Sequence, residues 1–467
     1  MPAKLPMGDV VVLLPGILGS VLERDGRDVW AMSPGAAWRA LMSLGHSVTD
    51  LELHGDDPSV DDLGDGVTAR RLQPDLHLVP GFWSIDGYSH IRKSIFATFD
   101  VIDGQNWFDF PYDWRRDNRV AARHLAERAP AWLHDWRKQS GNSDAKLVLV
   151  AHSMGGLVAR HYLEVLGGWH DARALVTFGT PYRGSLNALD FLCNGFKKGI
   201  GPLGIDLTRL LRSLTSVYQL LPRYPVVDSG AGGLTRVAET SKLPGVDLVR
   251  AAAALSFHHD IDAAIETHPP GGYAIHPIVG ILQPTIQSAR LHDGSVTMVP
   301  SYDGQDAGGD GTVPRVSATP IELADQGREI YAPDQHGSLQ NSTGPLTQLI
   351  GVLSARPTAN LRGGLTGFGL QIDEIFEADE PIAATVTSDD PTPTVDAVIV
   401  DLATGRPVLE LPIDVDGDGS YRAQWPPLPP GDYRLTVAPP DSDPDRLPVH
   451  SLFIVAGPHA GLDAGPP

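Results

Sequence analysis

Lys146-Leu147-Val148-Leu149-Val150-Ala151-His152-Ser153-Met154-Gly155-Gly156 decides how this chain is read. The run from Lys146 to Val150 is short, partly β-branched and almost wholly apolar, the pattern of a strand buried on both faces of a parallel sheet. Directly after it, Gly155 to Leu166 repeats apolar side chains at helical spacing and stops at Gly167-Gly168, a pair suited to a helix C-terminus. A strand that turns so tightly into a helix strains the backbone at the serine. The positions two before and two after it must then be small, and here they are Ala151 and Gly155. The pattern is that of a nucleophile elbow, with alanine in place of the first glycine.

Working outward, Asp9 to Leu14 reads as a first buried strand that ends in Pro15-Gly16-Ile17-Leu18-Gly19-Ser20. A glycine-bearing loop straight after a strand can turn backbone N–H groups toward a ligand. Hydrolases with this elbow draw one oxyanion donor from an early loop and one from the residue after the nucleophile. Those positions are Ile17 and Met154.

A serine hydroxyl is a weak nucleophile until a histidine takes its proton, and that histidine needs a carboxylate to fix its tautomer. In the α/β-hydrolase order of serine, acid and histidine, Asp310 sits between glycines about one strand–loop–strand unit before His336, which follows a short strand. Asp293, Asp303 and Asp306 are rivals in an earlier turn. His258, His259, His276 and His292 all precede the acid, and His152 is expected to point away from the nucleophile and serve structure. No histidine–carboxylate set has metal-site spacing, so no metal is expected.

A chain of 467 residues exceeds one ordinary core, so two domains are expected. With 36 basic against 57 acidic residues the net charge is −21, which repels phosphate backbones and anionic headgroups and excludes nucleic acid as a natural partner. A neutral lipid surface is compatible with transient contact. Cys193 is the single cysteine, in keeping with a reducing compartment. The N-terminal stretch lacks the features of a signal peptide, and no apolar run reaches membrane-spanning length, so a cytoplasmic location is expected.

The remaining stretches complete an expected α/β fold: an α/β-hydrolase over residues 1–357, with a mostly parallel sheet and an inserted helical cap at about 182–268. Within it, residues 36–42 suggest a helix, the aromatics of residues 83–99 suggest core, and Asn106 to Arg115 suggest a strand running into a tight turn. The helical pattern at 119–137 should kink or split at Pro130. Tyr182 to Gly204 reads as loop, Leu207 to Leu221 carries an amphipathic helical stripe, and Val246 to Ile265 is a further helix. Strands follow at 273–280 and 329–331, and Leu346 to Leu353 closes the domain. Short alternating strands over 358–456 suggest an all-β sandwich of immunoglobulin or fibronectin type, which offers a surface for a protein partner. A tail, 457–467, is expected to be disordered. Asp414 to Gly419 imitates a calcium loop, but Trp425 stands where the bidentate glutamate belongs, so a hairpin turn is expected there.

Taken together, Pro15-Gly16-Ile17-Leu18-Gly19-Ser20, Pro111-Tyr112-Asp113-Trp114-Arg115, the elbow, Phe178-Gly179-Thr180-Pro181 with Gly184-Ser185, Gly309-Asp310-Gly311-Thr312-Val313-Pro314 and His336-Gly337 occur in an order that resembles the lecithin:cholesterol acyltransferase family. The resemblance spans about the first 350 residues. It implies a cofactor-free serine enzyme that moves an acyl chain from a lipid ester to serine and then to water or an alcohol. Ser153, Asp310 and His336 match the family's triad, Ile17 and Met154 its oxyanion positions, and Asp113 and Arg115 a block expected to shape the cleft. The disulfide-held lipid-binding subdomain of the secreted animal members cannot be built with one cysteine. Both hydrolysis and acyl transfer stay open, with hydrolysis favoured. From another class, a non-catalytic scaffold that binds through the sandwich is the alternative.

Overall fold

Six parallel strands carry the first unit: β1 (Val10–Leu14), β2 (Trp107–Asp109), β3 (Leu147–His152), β4 (Ala172–Phe178), β5 (Ala274–Gly280) and β6 (Ile330–Ala332). They lie in the order β6-β5-β4-β3-β1-β2. The computed structural model describes residues 4–31, 51–74, 87–198, 205–230, 232–267, 272–324, 327–355, 368–373, 375–388, 393–417, 419–439 and 449–456. Contacts divide the chain into two compact units, residues 1–355 and 356–467.

Strands β1 and β3 are buried at every position, because helices cover both faces of the sheet. On one face Val10, Val12, Leu147 and Leu149 pack with Leu125 and Leu133 of α2 (Asn118–Ser140) and Leu157 of α3 (Gly155–Glu164). On the other, Val11, Leu13, Val148 and Val150 pack with Ile91 and Ile95 of α1 (Ser89–Thr98) and Leu346 and Leu349 of α8 (Thr343–Ser354). The chain passes from β1 outward to β2 and then back across to β3, so the strand order reverses between β1 and β3. In open parallel sheets, ligands bind in the crevice at the carboxyl ends of strands at such a reversal. The early loop and the elbow both emerge there.

Several expectations change. Helix α2 runs unbroken through Pro130; Pro130 is exposed, so solvent can satisfy the carbonyl that loses its partner. Residues 182–204 are not all loop: α4 (Leu186–Asn194) follows Ser185, whose side chain accepts from Asn187 N–H as an N-cap. The stripe at 207–221 is two short helices, α5 (Thr208–Ser213) and α6 (Thr215–Gln219), broken where Leu214 turns extended. Helix α7 (Leu248–Thr267) lies against α3, with the Phe257 ring stacked on His161 at 5.4 Å. The inserted segment is thus built into the core beside the sheet. Residues 20–24, 27–30 and 67–72 form a three-stranded antiparallel sheet that the sequence reading missed. The helix expected at 36–42, Trp83 and the tail at 457–467 lie outside the described residues.

The second unit is all-β, with a three-stranded and a five-stranded sheet around one core that includes Ile382, Val395, Tyr421, Leu435 and Phe453. Its strands include Phe368–Ile372, Ile375–Glu377, Arg406–Asp414 and Ser420–Trp425. After Asp414 the chain passes from the five-stranded to the three-stranded sheet, with Asp416 N–H donating to the Ser420 carbonyl, so the strands on either side do not pair as the expected hairpin. No helix among the described residues is long and apolar enough to cross a membrane. Nor is any group of three His, Cys, Asp or Glu side chains among them placed to hold a metal ion.

Candidate active site

Ser153 ends the β3 turn with φ of 52°, a left-handed conformation rare for a residue with a side chain. The elbow holds because its neighbours leave no room for anything larger. A Cβ on Gly155 would stand 2.5 Å from the Pro15 carbonyl oxygen, and one on Gly156 would stand 2.1 Å from Thr180 Oγ1. That threonine hydroxyl donates to the Ser153 carbonyl at 2.9 Å, which gives the Phe178-Gly179-Thr180-Pro181 stretch part of its meaning.

The structure brings Ser153, His336 and Asp310 together. Ser153 Oγ lies 2.9 Å from His336 Nε2, and His336 Nδ1 lies 2.7 Å from Asp310 Oδ2. The second carboxylate oxygen, Oδ1, accepts from the Thr312 and Val313 N–H groups at 2.9 and 2.7 Å. The His336 N–H also donates to the Asp310 carbonyl at 2.8 Å, so acid and base are joined through backbone as well as side chains. All three are buried, at 6%, 6% and 1% exposure. The rival acids lie elsewhere: Asp293 is an exposed turn residue beside His292, Asp303 has φ of 50° in another turn, and Asp306 caps Gly308 N–H.

Two glycines make room for the pair. A Cβ on Gly179, which has φ of 57°, would stand 2.8 Å from Asp310 Oδ2 and 2.9 Å from His336 Nδ1, while one on Gly280 would meet Asp310 Cβ at 2.3 Å. Gly179 directly follows β4 and Gly280 ends β5.

The early loop abuts the elbow, since a Cβ on Gly16 would lie 2.9 Å from Ser153 Cβ. The Gly16 carbonyl accepts from Gly19 N–H at 3.0 Å. In a trans peptide the N–H lies on the opposite edge, and that N–H belongs to Ile17. Among the described residues neither the Ile17 nor the Met154 N–H has a protein acceptor, as donors held for a ligand require.

Asp113 and Arg115 pair with each other and not with Ser153, His336 or Asp310. The buried Arg115 guanidinium pairs with Asp113 at 2.6 Å and with Asp65 at 2.9 Å, and Arg116 binds Asp56 and the carbonyls of Asp57, Val60 and Asp61. The block thus pins the loop at residues 51–65. Its aromatic residues hold the early loop instead: the Tyr112 hydroxyl donates to the Pro15 carbonyl at 2.8 Å and Trp114 Nε1 to the Ser20 carbonyl at 3.1 Å. Cys193 is buried, which pushes its thiol up to about 12.

Fold and site geometry together define an α/β-hydrolase. Within that class, residues 88–253 match the family model described as Lecithin:cholesterol acyltransferase. The uncharacterized protein YJR098C of Saccharomyces cerevisiae is 29% identical over 174 residues, which cover 37% of this chain and 23% of the yeast protein. Among solved structures, Bacillus licheniformis lipase BlEst2 in its propeptide form aligns over 97% of this chain and 94% of its own, with 13% identity and a TM-score of 0.39. Legionella pneumophila phospholipase PlaB aligns over 96% and 92%, with 11% identity and a TM-score of 0.20.

Proposed function

We propose that the protein is a serine acyl-ester hydrolase or O-acyltransferase acting on lipid-like esters. The observation that carries this reading is the chain Ser153 Oγ, His336 Nε2, His336 Nδ1, Asp310 Oδ2, with steps of 2.9 and 2.7 Å. His336 takes the Ser153 proton as Oγ attacks the ester carbonyl. Asp310 holds the imidazole with Nδ1–H toward itself and stabilises the imidazolium that forms. The carbonyl oxygen gains negative charge and is received by the Ile17 and Met154 N–H groups. His336 then gives its proton to the departing alcohol, leaving an acyl-serine.

Water or a second alcohol next attacks that acyl-serine, with His336 as base, and releases free acid or a new ester. Hydrolysis is favoured because water needs no acceptor site of its own. The experiment is to incubate an acyl ester with the protein, with and without alcohol acceptors, and to count free acid against new ester. Ser153→Ala is expected to lower turnover by on the order of 10⁴-fold or more and to abolish labelling by a fluorophosphonate. Unchanged turnover in Ser153→Ala, or no labelling of the native protein, would sink the proposal.

A further inference from the structure

Nucleophile, base and oxyanion loop come from three separate segments, and one buried hydrogen-bond chain runs through all of them. Tyr88 Oη lies 2.8 Å from Gly16 N and 3.0 Å from His152 Nδ1. His152 Nε2 lies 3.0 Å from the carbonyl oxygen of His336. Tyr88 and His152 are 2% and 1% exposed.

The protons in this chain have one arrangement. A carbonyl only accepts, so His152 Nε2 carries hydrogen. Burial pushes the His152 imidazole down to about 3, so the ring is neutral and Nδ1 is bare. The Tyr88 hydroxyl therefore donates to Nδ1, and its oxygen accepts from Gly16 N–H. Burial pushes the Tyr88 hydroxyl well up, which keeps it protonated for this task. Gly19 leaves the space the hydroxyl occupies, since a Cβ there would stand 2.7 Å from it.

Gly16 N–H and the Pro15 carbonyl are the two edges of one peptide plane. Tyr88 holds the first and Tyr112 the second, at 2.8 Å each. The next donor along the chain is Ile17 N–H, in the adjoining peptide plane whose Gly16 carbonyl is held by Gly19 N–H, so fixing both planes fixes where that donor points.

Resting on the triad reading above, we propose that Tyr88 and His152 are positioning residues that lock the oxyanion loop and the backbone of His336 to one another through a single relay, with Tyr112 clamping the far edge of the same peptide. Neither side chain touches the reacting atoms in this scheme. The relay acts by keeping donor and base in fixed register while charge develops on the substrate oxygen, where misplacement of one donor is costly.

Tyr88→Phe keeps the ring and removes the hydroxyl. With a soluble short-chain nitrophenyl ester, kcat is expected to fall about 10- to 100-fold while KM stays within about twofold. His152→Leu should lose a similar amount, and His152→Gln, whose amide offers both an acceptor and a donor, should recover part of it. In Tyr88→Phe/His152→Leu the loss should match the larger single loss rather than the product, because one relay is broken once. Near-UV circular dichroism establishes that each variant is folded.

A readout independent of turnover is ¹⁵N-histidine NMR on the full chain. It should show His152 protonated at Nε2 and bare at Nδ1 between about pH 5 and 8. Wild-type kcat in Tyr88→Phe, a change confined to KM, multiplicative losses in the double variant, or hydrogen on His152 Nδ1 each overturns the relay while Ser153→Ala remains inactive and the triad reading stands. Full turnover in Ser153→Ala instead overturns the triad reading, and the catalytic purpose of the relay falls with it whatever tautomer His152 shows.

Discussion

The edge of the parallel sheet around Ser153 and the sandwich of residues 356–467 both bury apolar strands, yet their glycines serve different ends. Around Ser153, glycines stand where another atom has taken the place of a side chain: the Pro15 carbonyl at Gly155, Asp310 and His336 at Gly179, Asp310 at Gly280. In the sandwich, Gly405 has φ of 68° with nothing within 4 Å of an added Cβ, and Gly417 is equally open. There the glycines serve turns. The difference follows from strand pattern: β1 and β3, buried at every position, deliver their ends to one crowded edge, whereas Ile382–Ser388 alternates between core and solvent and neighbouring strands turn back as hairpins.

The largest test of that contrast is Asp310→Asn. The amide cannot hold the His336 tautomer, so kcat should fall by about 10³- to 10⁴-fold with the fold intact, measured by ester turnover and circular dichroism. Next comes a matched pair of glycines. Gly155→Ala forces a methyl group against the Pro15 carbonyl and is expected to cost about 1–3 kcal/mol and to lower kcat by displacing the oxyanion loop. Gly405→Ala meets open space and is expected to cost about 1–2 kcal/mol for the left-handed backbone alone, with kcat unchanged. Denaturation midpoints and turnover of the two variants provide the comparison, and a kcat loss in Gly405→Ala would break it.

A further test of the comparison uses pH. Burial pushes His161 and His258 down to about 4 and His152 down to about 3, so the folded chain holds them neutral while the unfolded chain protonates them below about 6.5. The unfolded state therefore binds more protons as pH falls, and stability present above about 6.5 is lost toward 4, by about 1.4 kcal/mol per pH unit for each histidine. All three lie in the first unit. The sandwich's only histidine among the described residues, His450, is exposed. Calorimetry from pH 7.5 to about 5 should thus lower the transition of the first unit more than that of the second. Equal shifts would contradict the assignment.

The elbow was legible because strain admits only small residues at fixed offsets, and those offsets survive in the sequence. Asp310 and His336 were legible by order. The reason Asp310 rather than Asp306 meets the histidine was not, because it lies in two N–H groups and two glycines brought from separate strands. Tyr88 left no pattern at all: its partners are 72 and 64 residues away. Helix α4 did leave one, in Ser185 followed by Leu186, Leu189 and Leu192, but the glycines at 184 and 195 bound it so closely that the stretch read as loop. The strand at Arg406–Asp414 is exposed at most positions and contains proline, so it shows no alternation to read.

The left-handed turn at Ser153 sets chemistry and thermodynamic ease against each other at a single residue. Glycine would sit there without complaint, but it has no hydroxyl to offer. The chain keeps a residue ill-suited to its own backbone and confines the discomfort with Gly155, Gly156 and Thr180 packed around it. Selection for stability alone would favour glycine at this position.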